Sequence, residues 1–206
     1  HSATGLKVKK QKPLPEVSES EKPFELPDGW VWCRLGEVVE SLSTGPFGSM
    51  LHKTDYVKNG IPVVNPMNIV DGNIVTDGRM QISRETLERL KRYKLKENDI
   101  VIARRGNLEK CAVVKAEQDG WLCGTGSFFM RLKHINIKYF TMIYCSQKTQ
   151  KYLIQDSVGQ TMNNLNQKLL LKMVLAQPLE ILLYNIVFVM IQAVLRGIKT
   201  EYIYLA

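Results

Sequence analysis

Hydrophobic positions along the chain follow two different periods. From Trp30 to Leu132 they come in short runs bounded by Gly, Asn, Asp or Pro, the pattern of strands and turns. Trp30 and Trp32 alternate at strand spacing, which predicts core or rim packing. Ile61–Asn65 forms a short extended run after Gly60. Asp99–Ala103 and Lys110–Ala116 are β-branched and predict two strands joined by the turn Arg104-Arg105-Gly106-Asn107-Leu108-Glu109. Ser127–Leu132 predicts another strand, whose consecutive Phe128 and Phe129 must face opposite sides. Ser83 is placed to cap a helix through Tyr93; Glu85 in its first turn and Arg89, Lys91 and Arg92 towards its end suit the helix dipole.

After Leu132 the period becomes helical. Asn136 is placed to cap a helix carrying Ile137, Phe140, Ile143 and Tyr144, and a second helical stretch runs to about Ser157. Gly159–Asn166 is a polar loop, and Asn166 is placed to cap a short helix, Gln167–Leu171. Residues 1–25 read as a flexible tether, since prolines alternate with Lys, Glu and Ser and no apolar period is sustained. Residues 26–172 then form one domain, followed by a C-terminal apolar segment, 173–206. The expected class is α+β: a curved, mostly antiparallel β-sheet with flanking helices and a C-terminal helical segment.

Composition narrows this little: 206 residues, 45% hydrophobic and 23% charged, are ordinary for a globular protein. Charge is more informative. The net +8 sits in two blocks, +5 over residues 84–115 and +6 over 131–172, while the remainder is neutral or slightly acidic. Clustered positive charge is the footprint of a polyanion partner. Cys33, Cys111, Cys123 and Cys145 contain no CxxC pair and the three histidines are scattered, so a zinc site is not expected. Buried free thiols in a reducing cytoplasm are the expected state. No signal peptide is expected. The uncharged run Ile181–Leu195 is 15 residues, short of the roughly 20 a membrane helix needs.

Compact signatures of nucleic-acid chemistry are missing. There is no GxxxxGK[ST] loop. Asn65-Pro66-Met67-Asn68 lacks the second proline and the aromatic of the amino-methyltransferase tetrad, and no glycine-rich cofactor loop precedes it. Pro27-Asp28 has no Asp/Glu-x-Lys to complete a restriction-nuclease core, and no GxSxG elbow exists. The reading is a binder with no catalytic residues, no metal site and no cofactor of its own.

Candidate contact residues lie in three loops. Arg104 and Arg105, extended by Asn107 and Lys110, form either a solvated turn or a surface that touches phosphate or reads guanine with arginine's planar fork. Gln160, Asn163 and Asn164 either cap turns or pair with adenine. Gly45–Ser49 forms either a tight turn or a backbone cradle for phosphate; Ser49 and Lys53 are its candidate side chains.

Taken in order, several segments resemble a target recognition domain of the specificity subunits of type I restriction–modification systems. Leu26-Pro27-Asp28-Gly29-Trp30-Val31-Trp32-Cys33-Arg34-Leu35-Gly36-Glu37-Val38 is similar to the family's L-P-x-G/N-W-x-W-x-x-L-G-x-I/V entry. Gly45-Pro46-Phe47-Gly48-Ser49, Gly60-Ile61-Pro62-Val63-Val64 and Asn68-Ile69 continue it. Leu95-Lys96-Glu97-Asn98-Asp99-Ile100-Val101, with Arg104-Arg105-Gly106, resembles its L-K-x-G-D-I/V-L strand and R-x-G turn. Gly159-Gln160-Thr161-Met162-Asn163-Asn164-Leu165-Asn166 resembles its G-x-T-x-x-N-L-N loop.

The resemblance covers about 26–180. It implies double-stranded DNA recognition in the cytoplasm and docking on methyltransferase subunits, which would bring S-adenosylmethionine; a translocase/restriction subunit would join indirectly. Two such domains per chain are usual in the family. A single one implies a half-length subunit or a fragment, with residues 181–206 forming a homodimer contact, a dock on a methyltransferase, or one more core element. Pro178-Leu179-Glu180 fits the family's exit, but Ile181–Leu195 carries none of the charge of the helix that follows there. The rival readings are the recognition part of a fused restriction–methyltransferase enzyme and an RNA-binding module.

Overall fold

Ile100-Val101-Ile102-Ala103 is an unbroken apolar run, and all four side chains are buried. A strand of that kind needs cover on both faces. The computed structural model, which describes residues 14–157 and 165–179, provides it.

In chain order the elements are β1 (Trp30–Arg34), α1 (Leu35–Val38), β2 (Val39–Thr44), β3 (Tyr56–Val64), β4 (Ile69–Val70), β5 (Asn73–Ile74), β6 (Gln81–Ile82), α2 (Arg84–Arg89), β7 (Ile100–Ala103), β8 (Cys111–Val113), β9 (Leu122–Cys123), β10 (Ser127–Leu132), α3 (Ile137–Tyr144), α4 (Gln147–Ser157), α5 (Gln167–Lys172) and β11 (Val174–Pro178).

The class is α+β with mostly antiparallel pairing and flanking helices, as expected. The single curved sheet is instead divided among small sheets: a four-stranded one in the order β2-β10-β7-β8, a three-stranded one, β6-β3-β9, and the ribbons β1-β11 and β4-β5. The pair β3–β9 is parallel, Val63 against Leu122.

The four-stranded sheet is the wall between two cores. Ile100, Ile102, Phe128 and Met130 join one core with Phe140 and Tyr144 of α3, Leu153 of α4, Leu170 of α5 and Leu175 of β11. Val101, Ala112 and Phe129 join the other, with Val63 and Val64 of β3, Ile82 of β6 and Leu87 of α2. Phe128 and Phe129 therefore do face opposite sides, and both are buried. Truncating either ring would cost about 3–5 kcal/mol. Asp99, fully buried at the start of β7, accepts two hydrogen bonds from Arg131 at 2.8 Å each and a third from the Lys96 amide at 2.9 Å.

The expected caps form. Ser83 Oγ accepts from the Thr86 amide, Asn136 Oδ1 from Tyr139 and Asn166 Oδ1 from Leu169. The Ser83 helix stops at Arg89, because Leu90 leaves helical geometry (φ −108°, ψ 19°) to bury its side chain, and Lys91–Tyr93 continues as a separate 3-10 turn. Three cysteines are buried thiols as expected; Cys145, at the end of α3, is exposed.

Both ends of the described chain depart from the sequence reading. Val174–Pro178, beyond the expected domain limit at 172, pairs antiparallel with Trp30–Arg34 along its whole length. At the other end, residues from Leu14 onward are held rather than tethered loosely, because buried Arg34 spends all five guanidinium N–H groups. Nε donates to the Pro15 carbonyl at 3.0 Å and Nη2 to the Glu16 carbonyl at 3.0 Å; Nη1 donates to the Lys172 carbonyl at 3.0 Å. Two further bonds, at 2.7 and 2.8 Å, grip the Glu21 carboxylate. Residues 1–13, 158–164 and 180–206 lie outside the described part, and with them the expected helical C-terminal segment. Among the described residues no helix is long and apolar enough to cross a membrane.

The Arg34 guanidinium, and next the hydrogen bonds from Ser18, hold the Glu21 carboxyl down at about 2. A carboxylate depressed from its ordinary range contributes its anchoring fully above about pH 4.5 and loses it as pH falls through about 2. Tryptophan emission, which senses Trp32 against Phe24 in the held segment, should stay constant from pH 7 to about 4.5 and change below that. Glu21→Gln should show the released signal already at neutral pH. An acid transition identical in both proteins would show that this pair does not hold the segment.

Candidate nucleic-acid interface

The register of the four-stranded sheet decides where loops gather. Thr44 lies opposite Phe128, Ser127 opposite Ala103, and Ile102 opposite Cys111. The end of β2, the start of β10, the end of β7 and the start of β8 therefore share one edge. The end of β3 joins them, because the Gly124 amide donates to the Val64 carbonyl at 2.8 Å. So does the entry to α5, where the Leu165 amide donates to the Arg104 carbonyl at 3.0 Å.

Backbones approach so closely here that side chains are excluded. A Cβ at Gly45 would collide with the Gly124 carbonyl oxygen, and one at Gly124 with the Asn65 side-chain oxygen and the Val64 carbonyl. The Gly45 amide donates to the Ser127 carbonyl at 3.0 Å, Pro46 has no N–H, and the Met50 amide closes back on the Phe47 carbonyl at 2.8 Å. Gly45–Ser49 thus carries a tight turn, in which the Gly45 amide is already spent on Ser127 and Pro46 offers none. Arg89 fixes the far side of this loop, donating to the Met50 carbonyl at 2.7 Å and to Asp55 at 2.6 Å. Ser49 is exposed at the turn, and Lys53 is exposed beyond the Met50 anchor.

The loop 104–110 is pinned from beneath in the same way. Leu108 is buried and its carbonyl accepts from Tyr144 Oη at 2.8 Å. Lys110 Nζ donates to the Pro66 carbonyl at 3.0 Å, which makes it a tie between two loops. Gly106 turns the chain at φ +74°. Asn107 is exposed, with Oδ1 committed to the Glu109 amide at 2.9 Å and its NH2 facing away from that bond. Arg105 is exposed. Arg104 is half-buried, its guanidinium carbon 6.0 Å from the Phe128 ring centre. Burial, then the adjacent Arg105 charge, pulls its pKa below the ordinary arginine value. Gln160, Asn163 and Asn164 lie outside the described residues; Asn166, next in line, is a helix cap.

An open groove runs along this edge between Phe47, Arg104, Phe128, Gln167, Lys168 and Lys172. Sequence reasoning named only Arg104 of these as a contact residue. Lys168 and Lys172 stand one turn apart on α5 with Leu169–Leu171 buried between them, so their i, i+4 spacing inside the +6 block was the available signal. Phe47 was part of the turn motif, but only the structure shows its ring 57% exposed. Among the described residues no carboxylate lines the groove. Among the described residues Arg34, Arg79, Arg89 and Arg131 pair with acids, whereas Arg104, Arg105, Lys168 and Lys172 form no salt bridge. Separately, an aromatic-lined cavity of about 360 Å³ lies under Pro23 and Phe24 against Trp32 and Tyr139; it is where the N-terminal segment covers β1. Among the described residues no group of three or more His, Cys, Asp or Glu could hold a metal.

A loop-bearing edge lined by cations that form no salt bridge among the described residues marks this α+β domain, and the comparisons give the family. The model of the type I restriction modification DNA specificity domain matches residues 27–179, so the chain belongs to that family. It is 40% identical over 97 residues to the type I restriction enzyme EcoAI specificity subunit of Escherichia coli, and 64% identical over 39 residues to the EcoEI specificity subunit of the same organism. Those matches cover 47% and 19% of this chain and only 16% and 7% of the relatives. The fold is that of a solved type I R-M system component (TM-score 0.57, 20% identity, 89% of this chain and 43% of the other). It is also that of the HsdS subunit from Thermoanaerobacter tengcongensis (TM-score 0.53, 20% identity, 88% and 43%). The chain spans less than half the length of either.

The two glycines of the Phe47 turn should respond differently. Gly45→Ala should cost about 2 kcal/mol or more in urea unfolding, because the clash is with backbone. Gly48→Ala, which meets open space, should stay within about 0.5 kcal/mol of the parent. Equal effects would mean that the close approach at Gly45 does not organise the edge.

Proposed function

We propose that this domain recognises double-stranded DNA in a sequence-specific manner, as the specificity subunit or half-subunit of a type I restriction–modification complex. It directs partner methyltransferase subunits and, through them, a translocase/nuclease. The observation that carries the reading is the convergence of cations that form no salt bridge among the described residues on one loop edge, in a chain of the DNA specificity family. Phosphate contacts from Lys168, Lys172 and Arg104 would set position, and exposed Arg105 and Asn107 would reach base edges. The chain does no chemistry itself. S-adenosylmethionine and the reacting groups belong to the partners.

Selection of bound duplexes from a random pool, on the full chain and on its complex with a methyltransferase subunit, is the direct test. Arg104→Ala and Arg105→Ala should weaken binding without loss of fold. Where an arginine touches only phosphate, the log–log salt slope falls by about 0.9 per contact with base preference kept. Where it reads guanine, one position relaxes at a cost of about 1–3 kcal/mol. Unchanged affinity and preference in both variants, or tighter binding to RNA than to duplex DNA, overturns the reading. The pure chain should neither cut plasmid with Mg²⁺ nor methylate it with labelled S-adenosylmethionine; turnover that follows the protein peak would reveal a reaction centre.

A further inference from the structure

We propose that Phe47 is a specificity-determining residue that senses the C5 methyl group of one thymine; the inference rests on the duplex-DNA reading above. The ring is 57% exposed, yet the turn that carries it is fixed on several sides. Gly45 is wedged against Gly124 and bonded to Ser127, the Met50 amide closes on the Phe47 carbonyl, and Arg89 holds Met50. A rigid support thus keeps a large apolar group more than half exposed to water. Phe24, equally exposed, differs in having Trp32 as a ring partner at 5.1 Å; Phe47 has no ring partner among the described residues.

Its surroundings name the ligand class. Phe47 shares the groove with Arg104, Lys168 and Lys172, three cations that among the described residues have no salt bridge and face no acid. A phosphate backbone lying along these cations would bring the adjacent base edges to the ring. A phenyl group neither donates nor accepts a hydrogen bond, so it selects a base only through apolar contact. In the major groove the one apolar feature that differs among the bases is the thymine methyl. Stacking on a base face, the other use of such a ring, tolerates every base and leaves no preference.

The test uses the full chain, with and without a methyltransferase subunit, and the duplex it selects from a random pool. Each thymine in that site is replaced in turn by deoxyuridine, which removes only the methyl. At one position the parent protein should lose roughly fourfold in affinity, the worth of one buried methyl. Phe47→Ala should bind more weakly and show no difference between thymine and uracil there, while Phe47→Leu should keep part of the difference. Three results overturn the proposal: no thymine whose methyl matters to the parent, a Phe47→Ala protein as sensitive to uracil as the parent, or an affinity loss in Phe47→Ala that is uniform over all sequences. Failure of the parent to select any duplex site would instead sink the functional reading, which separates the two.

Discussion

Burial of one sheet on both faces is the constraint from which the rest follows. β7 and β10 have no polar face to give to solvent: Ile100 and Ile102 with Phe128 and Met130 fill one core, and Val101 with Phe129 fills the other. A one-residue slip of β10 would exchange the two sets of contacts, so register is enforced from both sides. The pairing of Ser127 with Ala103 therefore sets where Arg104 leaves the sheet, and its amide is held by the Gly126 carbonyl at 2.9 Å. A wall covered on both sides leaves only its ends for function, and the antiparallel register gathers those ends at one edge.

Whatever depended on neighbours in sequence was legible in sequence. The caps at Ser83, Asn136 and Asn166, the alternation across Phe128-Phe129 and the β-branched strands are local and formed as read. What was not legible depends on partners far along the chain. β11 includes buried Gln177 and a proline, a poor strand pattern alone, yet it pairs fully with β1, 144 residues from Gln177 to Cys33 in sequence. The N-terminal prolines and charges have the composition of a linker, and no local rule shows that one buried arginine supplies donors for the Pro15 and Glu16 carbonyls and the Glu21 carboxylate.

The site divides along the same line. Charge arithmetic located the two basic blocks and the arginine turn, because charge is additive along a sequence. It did not separate a cation left exposed from one that holds the fold: Lys110 sits in the basic turn but ties it to Pro66, while Lys168 and Lys172 lie far down the chain and are brought beside Arg104 by long-range ties such as the Leu165–Arg104 hydrogen bond and the packing of Leu170.

Arginine use in the fold argues for the same division. Arg34, Arg89 and Arg131 each grip a carboxylate, and the first two also bond main-chain carbonyls, so they tie segments together. Arg104 and Arg105, with comparable chemistry, form no salt bridge among the described residues and sit on a loop already anchored by Leu108, Tyr144 and Lys110. Because the anchors lie at the base while Ser49, Arg105 and Asn107 are exposed at the tips, exchange of those three leaves both cores untouched. Under the proposed function, a loop geometry set by packing before any ligand arrives would lower the ordering cost of binding. A fold built this way can vary its tips while the buried sheet that aims them stays the same.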